Sequence, residues 1–224
     1  MYIKRIDEMH IYDENGRLVG PQPRTRQELY RLIENRIKRY GSKVDLNDID
    51  VSLITNMSEL FTESEFNGDI SEWDVSNVKY MNYMFYRSKF NGDISKWNVG
   101  NVEYMNSMFN ESEFNGDISQ WDVSNVKCMD YMFAKSPFNG DIRNWNVSKV
   151  VTMGSMFYNS KFNGDISKWD VSNVEYMRYM FSESKFNGDI SEWDVSNVES
   201  MENMFTKSPL EKNPPAWYKH CELH

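Results

Sequence analysis

A chain of 224 residues with a net charge of −9 and a pI near 4.9 has room for one or two domains, and its acidity argues against a nucleic-acid backbone or an anionic membrane surface as its general partner. Two cysteines, Cys128 and Cys221, supply no disulfide framework, which fits a reducing compartment. The start, Met1-Tyr2-Ile3-Lys4-Arg5-Ile6-Asp7, has no apolar signal core and no later stretch is long enough to span a bilayer, so the reading is a cytoplasmic chain without membrane insertion.

Residues 2–19 predict a hairpin, with Ile3, Ile6, Met9 and Ile11 ahead of the turn Asp13-Glu14-Asn15-Gly16. Pro21 and Pro23 interrupt the chain, and Thr25-Arg26-Gln27-Glu28 is a capping box that opens a helix. Leu29, Leu32, Ile33 and Ile37 share one face of that helix, and Gly41 is its expected terminator. Residues 1–47 therefore read as an N-terminal cap. Asp50, Val51, Ser52, Met57, Leu60 and Phe61 form a degraded half-repeat, which begins an array expected to span 48–210.

One line of text then appears six times at a fixed interval of 24 residues, starting at Phe66, Phe90, Phe114, Phe138, Phe162 and Phe186. Each copy offers Ile70, Trp73, Val75, Val78, Met81, Met84, Phe85 and the next Phe90, or their equivalents. All thirteen Phe, six of the seven Trp and thirteen of the fifteen Met fall in this pattern. A unit so short cannot enclose such a set alone; stacked units can. Ile70-x-x-Trp73-x-Val75 predicts a short strand, and six of these a single parallel sheet. Val78-x-x-Met81-x-x-Met84-Phe85 predicts a helical or 3₁₀ return capped by Ser76 or Asn77. Asn67-Gly68-Asp69 is a turn signature, its glycine able to take positive φ. At the far end Leu210 replaces the next Phe and Asn213-Pro214-Pro215 stops the pattern, so 211–224, with Trp217 and Tyr218, is expected to fold back as a C-terminal cap. The whole reads as one domain: an α+β, β-rich solenoid, a right-handed leucine-rich-repeat-like array with one parallel sheet, short helical or 3₁₀ returns and a hairpin-plus-helix cap.

The run Phe-Asn-Gly-Asp-Ile-Ser-x-Trp-Asp-Val-Ser-Asn-Val-x-x-Met-x-x-Met-Phe, as it stands from Phe66 to Phe85, closely resembles the BspA-like leucine-rich repeat family, formerly a bacterial domain of unknown function. The resemblance covers 48–210 and implies a solenoid without catalysis, often displayed on bacterial surfaces for adhesion. It makes the cell surface the alternative to a cytoplasmic location. One departure is Val78 at the ninth position, where leucine-rich repeats usually carry Asn or Cys; here Asn77 precedes it.

No catalytic constellation is present. The three His stand near the termini, no glycine pattern of a nucleotide loop occurs, and the carboxylates repeat with equal chemistry in every unit. No cofactor is expected, and His220, Cys221 and His224 in the tail lack an established metal-ligand spacing. The Trp and Met columns read as core rather than as a sugar ladder or soft-metal site. Asp69, Asp93, Asp117, Asp141, Asp165 and Asp189 form a column for which turn-capping is favoured over calcium. Tyr80, Tyr104 and Tyr176, with Tyr83, Tyr131 and Tyr179 three residues on, form two columns expected to make a partner-binding ridge. A second candidate face is Glu72, Lys96, Gln120, Asn144, Lys168 and Glu192. The functional expectation is a non-catalytic, adhesion-type module for a protein or cell-surface partner. Its alternatives are a structural spacer or self-stacking homo-oligomer, and a calcium-dependent module.

Overall fold

The computed structural model describes residues 11–12 and 18–218, with side chains from Gly20 onward. Strands β1 (Ile11–Tyr12) and β2 (Leu18–Val19) pair antiparallel, Ile11 opposite Val19. The Asp13–Gly16 turn and residues 1–10 of the expected hairpin lie outside the described residues. Helix α1 (Arg26–Tyr40) follows the capping logic of its sequence. The Thr25 hydroxyl accepts from the Glu28 N–H at 3.2 Å, the Glu28 carboxylate reaches back to the Arg24 N–H, and the Gly41 N–H closes onto the Ile37 carbonyl at 2.8 Å. Gly41 takes φ 89°, a conformation costly for any residue with a Cβ. Leu29 and Ile33 are buried, and Leu32 and Ile37 pack at their margin.

From Ser42 the chain winds into stacked 24-residue coils: coil 1 (42–65), then coils 2 to 7, beginning at Phe66, Phe90, Phe114, Phe138, Phe162 and Phe186. The register thus begins ahead of the half-repeat legible at Asp50. In coil 1 the Ser42 carbonyl accepts from the Asn67 N–H at 2.7 Å, and Asp45 bridges Asp69 in parallel. Helix α1 closes this end: Arg36 pairs with Asp48 at 2.7 Å, Arg26 pairs with Glu59 at 3.3 Å, and Arg26 also donates to the Ser58 carbonyl.

The expected parallel sheet does not form. Neighbouring coils share seven isolated parallel bridges, six of which lie on the Asn56–Tyr80–Tyr104–Cys128–Thr152–Tyr176–Ser200 column. Among the described residues, the only strands are the two-residue β1 and β2. The Ile-x-x-Trp-x-Val stretch is made of turns instead. Trp73 N–H returns to the Ile70 carbonyl at 3.2 Å and Val78 N–H to the Val75 carbonyl at 2.9 Å. Asp69 captures the N–H of Ser71 and Asp74 that of Ser76. Donors taken up locally in this way are lost to a sheet ladder.

The expected helical return is not a helix either. Along 81–88 alternate donors diverge. Met81, Tyr83, Phe85 and Arg87 donate to the carbonyls of Tyr104, Asn106, Met108 and Asn110 in the next coil, each at 2.9 Å. Met84, Tyr86 and Ser88 instead close turns onto Met81, Tyr83 and Phe85. This division requires positive φ at Tyr83 (56°) and Arg87 (52°), the third positions of type II turns. The same two corners recur in every coil, at fourteen non-glycine residues from Glu59 to Lys207, none of them β-branched. A β-branched side chain there adds to a strain of about 1–2 kcal/mol. Exposed Asn159 (φ 49°) offers a clean test. Asn159→Val is expected to lower the unfolding free energy by about 1–2 kcal/mol. Asn159→Gly is expected to change it by less than about 1 kcal/mol. Urea midpoints measure both.

Where backbone ladders are missing, side chains bridge the coils. From Trp97 onward each Trp indole N–H donates to the Ile carbonyl of the coil before, as Trp97 to Ile70 at 3.0 Å and Trp121 to Ile94 at 3.0 Å, while Trp73 donates to the Leu46 carbonyl at 2.9 Å. The Asn67 side-chain oxygen accepts from the Asn91 N–H at 2.9 Å, and this repeats through Asn187. Asn77, which departs from the leucine-rich pattern, donates its amide to the Ser52 carbonyl at 2.8 Å rather than capping a return; Asn101, Asn125, Asn173 and Asn197 do the same one coil apart. Trp217 belongs to this register too. It lies 24 residues after Trp193 and donates to the Ile190 carbonyl at 2.9 Å, while Tyr218 packs edge-on to Phe205.

Inside, one continuous apolar cluster runs from Leu29 to Leu210, with Phe, Trp and Met stacked in columns. Phe85 lies 4.5 Å from Phe90 and 5.6 Å from Phe109, and Trp73 stacks on Trp97 at 6.4 Å. The glycine of Asn-Gly-Asp is explained by this packing and not by positive φ, which among the described glycines only Gly41 shows. A Cβ on Gly92 would stand 2.8 Å from the Phe90 ring. Coil 1 carries Ser42 in place of that Phe, and there Val44 occupies the glycine position. Outside, charges alternate from coil to coil. Glu63–Arg87 (3.2 Å), Arg87–Glu111 (2.8 Å), Glu111–Lys135 (2.9 Å) and Glu183–Lys207 (2.9 Å) run along one column. Exposed pairs add little stability each, but an exchange of coils would set like charges together.

Candidate functional site

The aspartate column is occupied by its own backbone. Asp93, Asp117, Asp165 and Asp189 each accept the N–H of the Ser two residues on at 2.9–3.0 Å, and Asp141 does so with Arg143. Backbone hydrogen bonds, followed by bonds from the same residues' side chains, hold Asp69, Asp93, Asp141, Asp165 and Asp189 below the ordinary carboxylate range. These carboxylates shape turns. Among the described residues no cluster of three or more His, Cys, Asp or Glu is arranged to hold a metal. His220, Cys221 and His224 lie outside the described residues.

Glu72, Lys96, Gln120, Asn144, Lys168 and Glu192 are all exposed, but they sit at the corners of the Ile–Trp turns and not on a sheet. Glu72 and Lys96 approach to 3.8 Å. This is a solvated, mixed-charge edge.

The tyrosines gather on the other segment, the turn ladder. Tyr80, Tyr104 and Tyr176 occupy the bridge column, and the rings of Tyr80 and Tyr104 stack at 5.4 Å, 8° from parallel. Tyr104 is half-buried; Tyr80 and Tyr176 are exposed. The Tyr176 hydroxyl donates to Glu199 at 2.8 Å, which raises its pKa. Tyr83, Tyr131 and Tyr179 occupy the positive-φ corner three residues on, at 39%, 47% and 43% exposure. The two columns thus share one ladder, although no helical turn places them.

Two neighbours of these columns escaped sequence reasoning, Tyr86 and the Arg178–Glu202 pair. Tyr86 meets Tyr83 edge to face at 5.9 Å. Arg178 holds Glu202 at 2.5 Å and, with Ser200, lowers that carboxyl to about 2. Thr152 donates to Asp130 at 2.8 Å and contacts the Cys128 sulfur, while burial pushes the Cys128 thiol up, away from a reactive thiolate. Tyr86 shares an aligned column with Tyr158, and Arg178 shares one with Glu202; those two columns are the signal that would have found them.

The family model described as "Mycoplasma protein of unknown function, DUF285" matches the chain over residues 31–137 and again over 111–217. The chain belongs to the DUF285 family. Together the two DUF285 matches run from within α1 to Trp217 and take in every coil of the stack. No curated protein and no solved structure matches the chain. In this DUF285 chain no helix among the described residues is long and apolar enough to cross a membrane.

Proposed function

We propose that this DUF285 chain is a non-catalytic, adhesion-type interaction module whose working surface is the tyrosine face of the turn ladder. The observation that carries the reading is that five tyrosine rings, Tyr80, Tyr83, Tyr131, Tyr176 and Tyr179, are exposed along one ladder of a chain whose Phe column and whose Trp column from Trp73 to Trp193 are buried. Tyr supplies rigid, amphipathic contact area at low entropic cost. The resemblance to BspA-like repeats supports the adhesion-type role and a place at the cell surface.

The test is affinity capture from lysate and cell-surface fractions of the native host. It compares the wild-type chain with Tyr80→Ala/Tyr104→Ala/Tyr176→Ala, matched in melting temperature. The expected result is a partner held by the wild type and lost by the variant. A partner held equally by both removes this face from the proposal. No partner in either fraction favours the second reading, a self-stacking structural protomer. The observation behind that second reading is the row of N–H groups at Met201, Asn203, Phe205 and Lys207, which have no acceptor among the described residues.

A further inference from the structure

The corner column of the tyrosine face has a periodicity that the core does not require. From coil 1 to coil 7 it reads Glu59, Tyr83, Ser107, Tyr131, Ser155, Tyr179, Asn203. A ring is presented at every second coil, with a Ser between. Crowding does not impose this alternation, because Tyr80 and Tyr104 stack in adjacent coils at 5.4 Å on the neighbouring column. Ser107 and Ser155 are nearly buried, at 3% and 5% exposure, so the line between successive rings is closed. With coils in parallel register at about 4.8 Å, the three rings recur roughly every 10 Å along the stack.

The surroundings narrow what such a row recognises. Every exposed large apolar residue of this ladder is a Tyr, and none is aliphatic. Protein hot spots centre on a fully desolvated pocket ringed by other contacts. Here the rings are two-fifths exposed, and between the two columns stand amides and a mixed set of charges: Asn82, Asn106, Asp130, Arg178 and Glu202. Aromatic faces with interspersed amides and carboxylates suit pyranose sugars, whose C–H faces stack on rings and whose hydroxyls take hydrogen bonds. In a β-1,4-linked glycan each sugar is turned over relative to the last, so the same face returns at every second unit, at a repeat close to this two-coil step. The mixture of charges favours a neutral polymer.

We propose that Tyr83, Tyr131 and Tyr179 form a stacking platform for an extended, neutral β-1,4-linked glycan lying along the coil axis, one ring to each disaccharide. The proposal rests on the reading of the tyrosine face as the working surface, and it names that surface's partner class.

The test uses the full chain in co-sedimentation with insoluble cellulose and chitin, and in calorimetric titration with their soluble hexasaccharides. Amylose, an α-1,4-linked glucan without the flipped repeat, is the control. The variant is Tyr83→Ser/Tyr131→Ser/Tyr179→Ser. Serine is the residue that coils 3 and 5 already carry at this corner, at φ 56° and 55°, so the fold is retained and an unchanged melting temperature verifies it. The wild type is expected to bind at least one β-1,4 glycan in preference to amylose. Loss of a single ring is expected to weaken binding up to about tenfold, and loss of all three to abolish it. Absence of binding to either β-1,4 glycan, equal binding to amylose, or undiminished binding by the triple variant would overturn the proposal. A protein partner captured through Tyr80, Tyr104 and Tyr176, without glycan binding, would remove the glycan and leave the interaction module standing. Failure of both experiments would remove both.

Discussion

Phe133→Ala is expected to lower the unfolding free energy by about 3–5 kcal/mol, among the largest losses available to a single substitution in this chain. Phe133 is wholly buried at the middle of the stack, 4.2 Å from Phe138, 5.8 Å from Phe109 and 5.9 Å from Phe157. Trp145 closes the site at 6.2 Å. Because these neighbours are themselves held in columns, the space left by the ring cannot collapse, and the cavity cost adds to the lost burial. The position has a further consequence. Each coil contacts only its neighbours, so a weak coil at the centre divides the array into two halves that unfold with less cooperation. Equilibrium urea denaturation followed by Trp fluorescence measures the loss. Separate transitions for the two halves would register the broken coupling, and a loss below about 1 kcal/mol would show that the columns relax more freely than their packing implies.

Leu29→Glu/Ile33→Glu is expected to release α1 from coil 1 and to turn a closed particle into an associating one. Both side chains are fully buried, and each costs about 2–5 kcal/mol when its packing is lost. Releasing α1 frees the Ser58 carbonyl from Arg26 and joins it to those of Asn56, Leu60 and Thr62, which no described residue engages. At the opposite end the N–H groups of Met201, Asn203, Phe205 and Lys207 stand in the register that coil 6 uses toward coil 7, where Met177, Tyr179, Phe181 and Glu183 donate to Ser200, Glu202, Met204 and Thr206 at 2.8–3.1 Å. One end offers donors and the other acceptors. A second copy added head to tail would also bring its Glu63 next to Lys207, continuing the alternation that Glu183–Lys207 and Glu63–Arg87 already show. Light scattering across a concentration series is expected to show open-ended growth for the variant only. A folded, monomeric variant would instead assign the block to residues 210–218, where Trp217 and Tyr218 lie against the last coil.

Much of this molecule is determined by the sequence read alone. The 24-residue period, the inward Phe, Trp and Met columns and the capped helix α1 follow from which side chains avoid water and which ones satisfy a helix end. The turn-capping role of the aspartates is legible as well, because an Asx turn is closed within three residues. What tertiary structure decided is where the remaining donors go. The apolar spacing of Ile70, Trp73 and Val75 is the same for a strand as for two successive turns, and only the neighbouring coil, with its Trp and Asn side-chain bridges, makes the turns sufficient. The left-handed corners at Tyr83 and Arg87 carry no glycine to announce them, since they are held by hydrogen bonds to residues a full coil away. For the same reason Ser42 to Asn47 read as part of the N-terminal cap and Trp217 as part of the C-terminal cap: each is recognised by the coil it stacks on, a contact 24 or more residues distant. The tyrosine columns were visible in the aligned copies, but their shared ladder was not, because whether two outward residues lie on one face depends on a backbone path that only the stacked coils impose.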